Sequence, residues 1–142
     1  MIARLGVISL TGEVEREELI AQLRAAGVKH NPDDILRIAR LPDGKIVFLE
    51  IGNDGSGWQH IRKQHAENFA GRGIPEDQII DAVIAAVING RILGNQGRSR
   101  TVYEIDFNGA IQYISVEVAN NGYIVGANPT RQNLIRRFTQ ER

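Results

Sequence analysis

Two Asn-Gly dipeptides, Asn108-Gly109 and Asn121-Gly122, limit what this chain can fold into more than any other feature of its sequence. They separate three runs rich in β-branched and aromatic residues, at 101–107, 110–119 and 123–127. Asn-Gly favours the type I′ turn that joins two antiparallel strands, because both residues tolerate a positive φ. The sequence therefore predicts a three-stranded antiparallel meander in its C-terminal half.

Helical periodicity predicts three helices before this meander. The first has apolar positions from Val14 to Ala26 and stops at Gly27, the second runs from Trp58 to Phe69, and the third begins at Pro75 and ends at Asn89-Gly90. Ser56 is placed to cap the second helix. Apolar and polar side chains alternate only weakly in residues 1–10, so this segment is compatible with a short strand or with an unstructured lead-in.

Further turn signals add a second hairpin and a last helix. Asp43-Gly44 lies between apolar runs at 35–40 and 45–51, a pattern typical of a β-hairpin. Residues 91–94 are compatible with a short strand before a polar, basic loop at 95–100. After Pro129 we expect Thr130 to cap a short helix that packs back on the body through Leu134, Ile135 and Phe138.

This order of elements predicts an α+β fold in which helices pack on one face of a curved antiparallel β-sheet. The chain has 142 residues, 42% of them apolar, which is enough for one domain with a real core. It has no cysteine, so disulfides and thiolate chemistry are excluded. The sequence has no apolar run of membrane-spanning length, and its formal net charge is zero.

The chemistry is concentrated in residues 57–65, which hold two of the three histidines, two cations and the only tryptophan. Histidine exchanges protons near neutral pH, and Arg62 and Lys63 would attract a phosphate. On an ideal helix His60 and His65 point about 140° apart, and cations lie between them, so we expect no metal site here.

We interpret the two histidines as lining a cleft between their helix and the sheet. Cleavage of RNA without a metal needs a base for the 2′-hydroxyl, an acid for the leaving 5′-oxygen and cations around the phosphorus. The candidate catalytic residues are His60, His65, Arg98, Tyr103 and Thr130. The candidate substrate-binding residues are Trp58, Arg62, Lys63, Arg100 and Asn128.

A structural reading of each candidate stays open. One histidine would then pack in the helix interface, Trp58 and Tyr103 would belong to the core, and the arginines at 98 and 100 would sit on a solvated loop. Asn128 and Thr130 would be a turn residue and a helix cap.

Several motifs occur in an order that resembles a known group of proteins. They are Gly57-Trp58-Gln59-His60-Ile61 with His65, Gly73-Ile74-Pro75-Glu76, Asn89-Gly90, the Gly-Arg loop before Tyr103-Glu104, and the stretch from Val116 to Pro129. The set, within about residues 30–130, resembles the C-terminal toxin domains of bacterial contact-dependent growth inhibition and related polymorphic toxin systems. Those domains resemble the barnase, EndoU, colicin and RelE superfamily of metal-independent ribonucleases.

The resemblance implies an endoribonuclease toxin for 1–142, with an N-terminal helical region (1–30), a catalytic core (31–130) and a C-terminal helix (131–142). It implies cleavage of RNA, often tRNA, to a 2′,3′-cyclic phosphate without a cofactor. The implied partners are a cognate immunity protein and, in some cases, a host activating factor, with no membrane partner. The domain would be delivered from the cell surface or by secretion as part of a larger protein, and would act in the target-cell cytoplasm.

Parts of this resemblance depart from the expected pattern. A Ser or Thr is common near the last strand of such sites, but Gly126 and Ala127 stand here, which leaves Thr130 as a substitute. The zero net charge also favours a local binding patch over general affinity for RNA. Two alternatives stay open: a catalytically silent module that binds protein or RNA, and a phage-associated nuclease with another nucleic-acid target.

Overall fold

A computed structural model describes residues 2–140, apart from the side chains of residues 2–12. Its fold is α+β, with helices and two antiparallel sheets that do not close. The helices are α1 (Ile2–Ala25), α2 (Gly57–Gly71), α3 (Glu76–Asn89) and α4 (Gln132–Gln140). The strands are β1 (Ile35–Arg40), β2 (Ile46–Glu50), β3 (Arg91–Gln96), β4 (Arg100–Phe107), β5 (Ala110–Val118) and β6 (Ile124–Pro129).

The larger sheet has the order β3-β4-β5-β6, so the predicted meander is confirmed and is extended by β3 at one edge. At the first turn, Asn108 and Gly109 have φ of 54° and 83°, as type I′ requires. The β5-β6 hairpin at Asn121-Gly122 was predicted correctly, but its turn type was not. There the amide of Gly122 donates to the carbonyl of Ala119, and among the last two turn residues only Gly122 has a positive φ.

Gly122 also joins the two sheets. Its carbonyl accepts a 2.9 Å hydrogen bond from the amide of Phe48, so the β1-β2 hairpin lies beside the start of β6. A Cβ on Gly122 would come within 2.1 Å of the Ile46 carbonyl oxygen, a distance no side chain could tolerate. Only glycine allows this close approach of the two backbones.

The main core lies between α3, α2 and one face of the larger sheet. The apolar stripe of α3 is buried through Ile79, Val83 and Val87, as its periodicity predicted. It packs with Ile61 and Phe69 of α2 and with sheet residues such as Tyr103, Ile114 and Val116. Full burial of each large apolar side chain contributes about 1.5–3 kcal/mol. A smaller cluster of Leu23, Ile35 and Phe48 holds α1 on the hairpin.

The expectation that helices occupy a single face of the sheet is wrong for α4. The ring of Phe138 lies over Gly94, where an added Cβ would be 2.7 Å from it. Gly94 pairs with Val102, and side chains of paired residues share a face. Since Tyr103, the next residue on β4, faces the core, α4 covers part of the opposite face.

Two local expectations also need correction. The helix α1 includes residues 2–10, where a strand or an unstructured segment was considered, while Met1 lies outside the described residues. Strand β3 extends to Gln96, which shortens the basic loop to residues 97–99.

In the part of the chain that the structure describes, no helix combines the length and apolar character needed to cross a bilayer.

Candidate functional site

A hollow of about 600 Å³ opens where α2, the β3-β4 loop and the end of β6 meet. We call it the hollow, and its lining consists of His65, Asn68, Arg72, Gln96, Gly97, Arg98, Ser99, Arg100, Asn128, Pro129 and Arg131. Four of these residues are arginines, and none of the described residues that line it is acidic. A concave surface of one charge sign concentrates ions of the opposite sign. The hollow is therefore suited to polyanions, although the chain as a whole is neutral.

Both histidines of α2 approach this region because the face of the helix that lies between them packs against β6. Gly57 and Ile61, which are buried, lie on that face, and His60 and His65 flank it about 140° apart. Ser56 occupies the N-cap position, but its side chain makes no cap hydrogen bond. Its hydroxyl instead contacts the Tyr123 hydroxyl at 2.9 Å, which ties the start of α2 to the last hairpin.

His65 lines the hollow and is biased toward its neutral form. Burial lowers its pKa below 6.5, a hydrogen bond with Asn68 raises it in part, and the positive charges of Arg100 and His60 lower it further. Nδ1 lies 3.1 Å from Oδ1 of Asn68, which accepts a hydrogen bond from Nδ1–H. This tautomer leaves the lone pair on Nε2, so His65 has the form that a general base needs.

His60 lies beside the hollow and not among its lining residues. Its Nδ1–H donates to the carbonyl oxygen of Asp54 at 2.9 Å, which fixes the ring orientation. A Cβ on Gly126 would lie 2.7 Å from a terminal nitrogen of Arg100 and 3.5 Å from ring carbon Cδ2 of His60. The ring and the guanidinium therefore approach each other over Gly126, and the missing side chain provides the space.

Arg100 is held in place before any ligand arrives. One terminal nitrogen donates to Oδ1 of Asn128, and its Nε lies 3.9 Å from a carboxylate oxygen of Glu117. Its side chain is only 19% exposed. A guanidinium held in this way loses little conformational entropy when an anion binds.

A buried polar network lies under the hollow. Asn128 and Gln96 exchange two amide hydrogen bonds at 3.4 Å, and the Ser115 hydroxyl donates to Gln96 at 3.2 Å. Ser115 and Thr130 are fully buried, with their hydroxyl oxygens 2.8 Å apart. Thr130 is thus neither a helix cap nor in reach of a ligand. Through this network it positions Gln96 and Asn128, which do line the hollow.

Four predicted site residues lie elsewhere. Lys63 is exposed and 3.3 Å from Asp54, and Arg62 donates to Gln59 on its own helix. Trp58 packs against the main core. Tyr103 is also a core residue, and burial raises the pKa of its phenol. The structure therefore brings together His60, His65, Arg98, Arg100 and Asn128, with Thr130 beneath them, and separates the others from the hollow.

No separate role was predicted for four residues that also line the hollow, namely Asn68, Arg72, Gln96 and Arg131. Asn68 could have been found, because it lies three residues after His65, where helix side chains are neighbours. Arg72 follows the end of α2, and its guanidinium donates to the carbonyl of Thr130 at 2.8 Å. Arg131 lines the hollow because it follows closely after the end of β6. The place of β6 at the edge of the sheet is known only from the structure.

Comparison of the chain with protein-family models gives no match, and comparison with curated proteins gives no significant match. Among the described residues, no group of three or more His, Asp or Glu side chains is placed to hold a metal ion. The side chains at this site offer imidazole, guanidinium and amide groups to a ligand.

Proposed function

We propose that this protein is an endoribonuclease that cleaves an RNA strand in the hollow by attack of a 2′-hydroxyl on the adjacent phosphate. The observation that carries the proposal is that an imidazole whose pKa is lowered by burial lines one cavity together with four guanidiniums, and that none of the described residues in the lining is acidic. A base and anion-binding groups are two of the three requirements of this reaction, and the third is an acid for the leaving oxygen.

In the proposed mechanism Nε2 of His65 accepts the proton of the 2′-hydroxyl. The 2′-oxygen forms a bond to phosphorus, and the bond from phosphorus to the 5′-oxygen breaks. His60, in its protonated form, donates a proton to that leaving oxygen. The products are a strand with a 2′,3′-cyclic phosphate and a strand with a 5′-hydroxyl. Arg100 stabilises the added negative charge on the phosphorane, where a preorganised donor has its largest effect.

The amide pair of Asn128 and Gln96 supports this assignment, because it fixes the orientation of Arg100 from below. The buried hydroxyls of Ser115 and Thr130 in turn fix Gln96. A site built on strands and a buried network holds its groups more accurately than one on mobile loops. We assign Thr130 a positioning role and no contact with the substrate.

The finer parts of the proposal are carried by the resemblance of the sequence motifs. They are a barnase, EndoU, colicin and RelE type of fold, use as an interbacterial toxin, tRNA as target, a cognate immunity protein, a host activating factor, and delivery as part of a larger protein to the target-cell cytoplasm. An immunity protein for such a site would present acidic side chains to the hollow, because its lining is cationic.

The first test is incubation of the protein with total tRNA in EDTA. We expect cleavage to fall by about 100-fold to 10,000-fold in His60→Ala and in His65→Ala, the range for loss of a general acid or base. Arg24→Ala, an exposed arginine of α1, is the control and should retain full activity. Intact RNA with retained binding would instead favour the catalytically silent binding module.

A second test separates the two histidines. A substrate with sulfur in place of the scissile 5′-oxygen has a leaving group that needs no proton. We expect this substrate to restore cleavage by His60→Ala but not by His65→Ala, because only the acid becomes dispensable. Rescue of His65→Ala alone would reverse the assignment.

A further inference from the structure

The four arginines of the hollow fall into two pairs that differ in what they contact. Arg72 and Arg100 are used by the protein itself, since their guanidiniums bind the carbonyl of Thr130 and the side chain of Asn128. The side chains of Arg98 and Arg131 make no hydrogen bond or ion pair with any described residue. Both nevertheless line the hollow.

With Arg98 and Arg131, the hollow carries more positive charge than one phosphate requires. A phosphodiester carries a single negative charge, and the proposed site already places Arg100 and the two histidines around it. Four like charges lining one cavity repel each other, and the binding of further anions relieves this repulsion. Guanidinium groups bind phosphate oxygens in bidentate fashion and are suited to this role.

The positions of these two residues extend the hollow beyond the histidines. Arg98 lies on the β3-β4 loop, and Arg131 lies between β6 and α4, with its backbone amide 3.3 Å from Oε1 of Gln96. His65 lies on a third element, α2. The volume of about 600 Å³ is in the range of sites that enclose whole drug-sized ligands, and far exceeds that of one phosphate group.

We propose that Arg98 and Arg131 bind phosphates that flank the scissile phosphate, so that the substrate is a polynucleotide strand and not a dinucleotide or a cyclic nucleotide. This inference rests on the proposed function, which places the scissile phosphate at His65 and Arg100. Each of the two arginines contributes binding to long substrates and none to a dinucleotide, which has only one phosphate.

The experiment uses 2′-O-methyl oligoribonucleotides of two, four and eight residues without terminal phosphates, which lack the attacking hydroxyl and cannot be cleaved. Their affinities are measured against salt concentration, by NMR titration for the dinucleotide and by fluorescence anisotropy for the longer strands. The logarithm of affinity falls with the logarithm of salt by about 0.7 for each phosphate bound on a single strand. We expect a slope of about −0.7 for the dinucleotide and about −2 for the longer strands.

Substitutions then assign the extra phosphates. Arg98→Ala and Arg131→Ala should each reduce the slope for the tetranucleotide by about 0.7, leave the dinucleotide affinity unchanged, and keep the thermal unfolding of the parent protein. Arg98→Lys and Arg131→Lys keep the charge and should retain the slope. Arg24→Ala is the control outside the hollow. Equal slopes for all three lengths, or loss of dinucleotide affinity in either alanine variant, would overturn the inference.

Failure of this inference differs from failure of the proposed function, because binding is measured on strands that cannot react. A steep slope for long strands together with intact tRNA would overturn the ribonuclease and leave Arg98 and Arg131 as phosphate-binding residues. Cleavage of tRNA together with a slope of about −0.7 at every length would support the ribonuclease and overturn the role of these two arginines.

Discussion

The hollow and a second depression, on the other side of the β3-β4 hairpin, are formed in part by the same strand but differ in chemistry. The second depression, which we call the groove, has a volume of about 410 Å³ and is lined by residues including Ile92, Thr101, Tyr103 and Val118. The described part of its lining has one lysine and one aspartate, whereas the hollow has four arginines and a histidine. Strand β4 contributes Arg100 to the hollow and Tyr103 to the groove.

The difference follows from the alternation of side chains along a strand. Arg100 and Tyr103 are three positions apart, so their side chains lie on opposite faces of the sheet. The two residues are close together in the sequence, so both were predicted to belong to one site. The alternation of side chains along β4 excludes a shared site.

Among the substitutions that compare the hollow with the groove, Arg100→Ala should have the strongest effect. Loss of one preorganised donor at the phosphorane should reduce kcat/KM for RNA cleavage by about 100-fold to 1,000-fold. The matched substitution on the same strand is Tyr103→Phe, which removes only the phenol hydroxyl on the groove side and should leave kcat/KM unchanged. Steady-state kinetics on one RNA substrate measures both. A loss in Tyr103→Phe comparable to that in Arg100→Ala would mean that hollow and groove form one site.

The next effect is expected for Gly126→Ala. The added methyl group would contact the end of the Arg100 side chain and approach His60, so Arg100 must shift while the backbone remains unchanged. A displacement of about 1 Å at a catalytic group can reduce the rate by about 100-fold. We expect a fall of that order in kcat with little change in thermal unfolding. Gly71→Ala, where no atom lies within 4 Å of the new methyl group, is the control. Full activity of Gly126→Ala would show that Arg100 and His60 need not meet over Gly126.

The smallest effect concerns the pKa of His65, measured by NMR from the titration of its ring. Burial is the largest cause that lowers this pKa below 6.5, and the charge of Arg100 lowers it further. Arg100→Gln should therefore raise the pKa, and Asn68→Ala should lower it, because the hydrogen bond that the His65 ring donates to Asn68 raises it. Arg24→Gln should leave it unchanged. A pKa above 6.5 in the parent protein would contradict the assignment of His65 as the base.

The lowered pKa of His65 also makes the stability of the fold depend on pH. Because the pKa of His65 is lower in the folded protein than in the unfolded chain, the unfolded chain binds the proton more tightly. The contribution of His65 to the free energy of unfolding is then fully present above about pH 6.5 and decreases as the pH falls through the folded-state pKa. His65→Gln should make thermal unfolding less sensitive to pH in this window.

Much of the local structure could be predicted from the sequence. The Asn108-Gly109 turn, the apolar stripe of α3 and the β1-β2 hairpin follow from rules that act within a few residues. The candidate site could be predicted only in part. His65, Arg98, Arg100 and Asn128 line the hollow, whereas Lys63 is exposed beside Asp54 and Tyr103 packs in the core. Residue type identified suitable groups, but it could not tell which face of an element each one occupies.

Local sequence patterns specified most of the elements, the hairpin connections and the stretch in which histidine and cationic side chains are concentrated, because these depend on backbone propensities and short-range spacing. The tertiary structure alone decided that Arg72 and Arg131 enter the hollow, that Thr130 is buried beneath it, and that Gly126 leaves space for His60 beside Arg100. Those outcomes depend on how α2 and α4 dock against the sheet. Docking is set by packing between residues far apart in the chain, which no local pattern specifies.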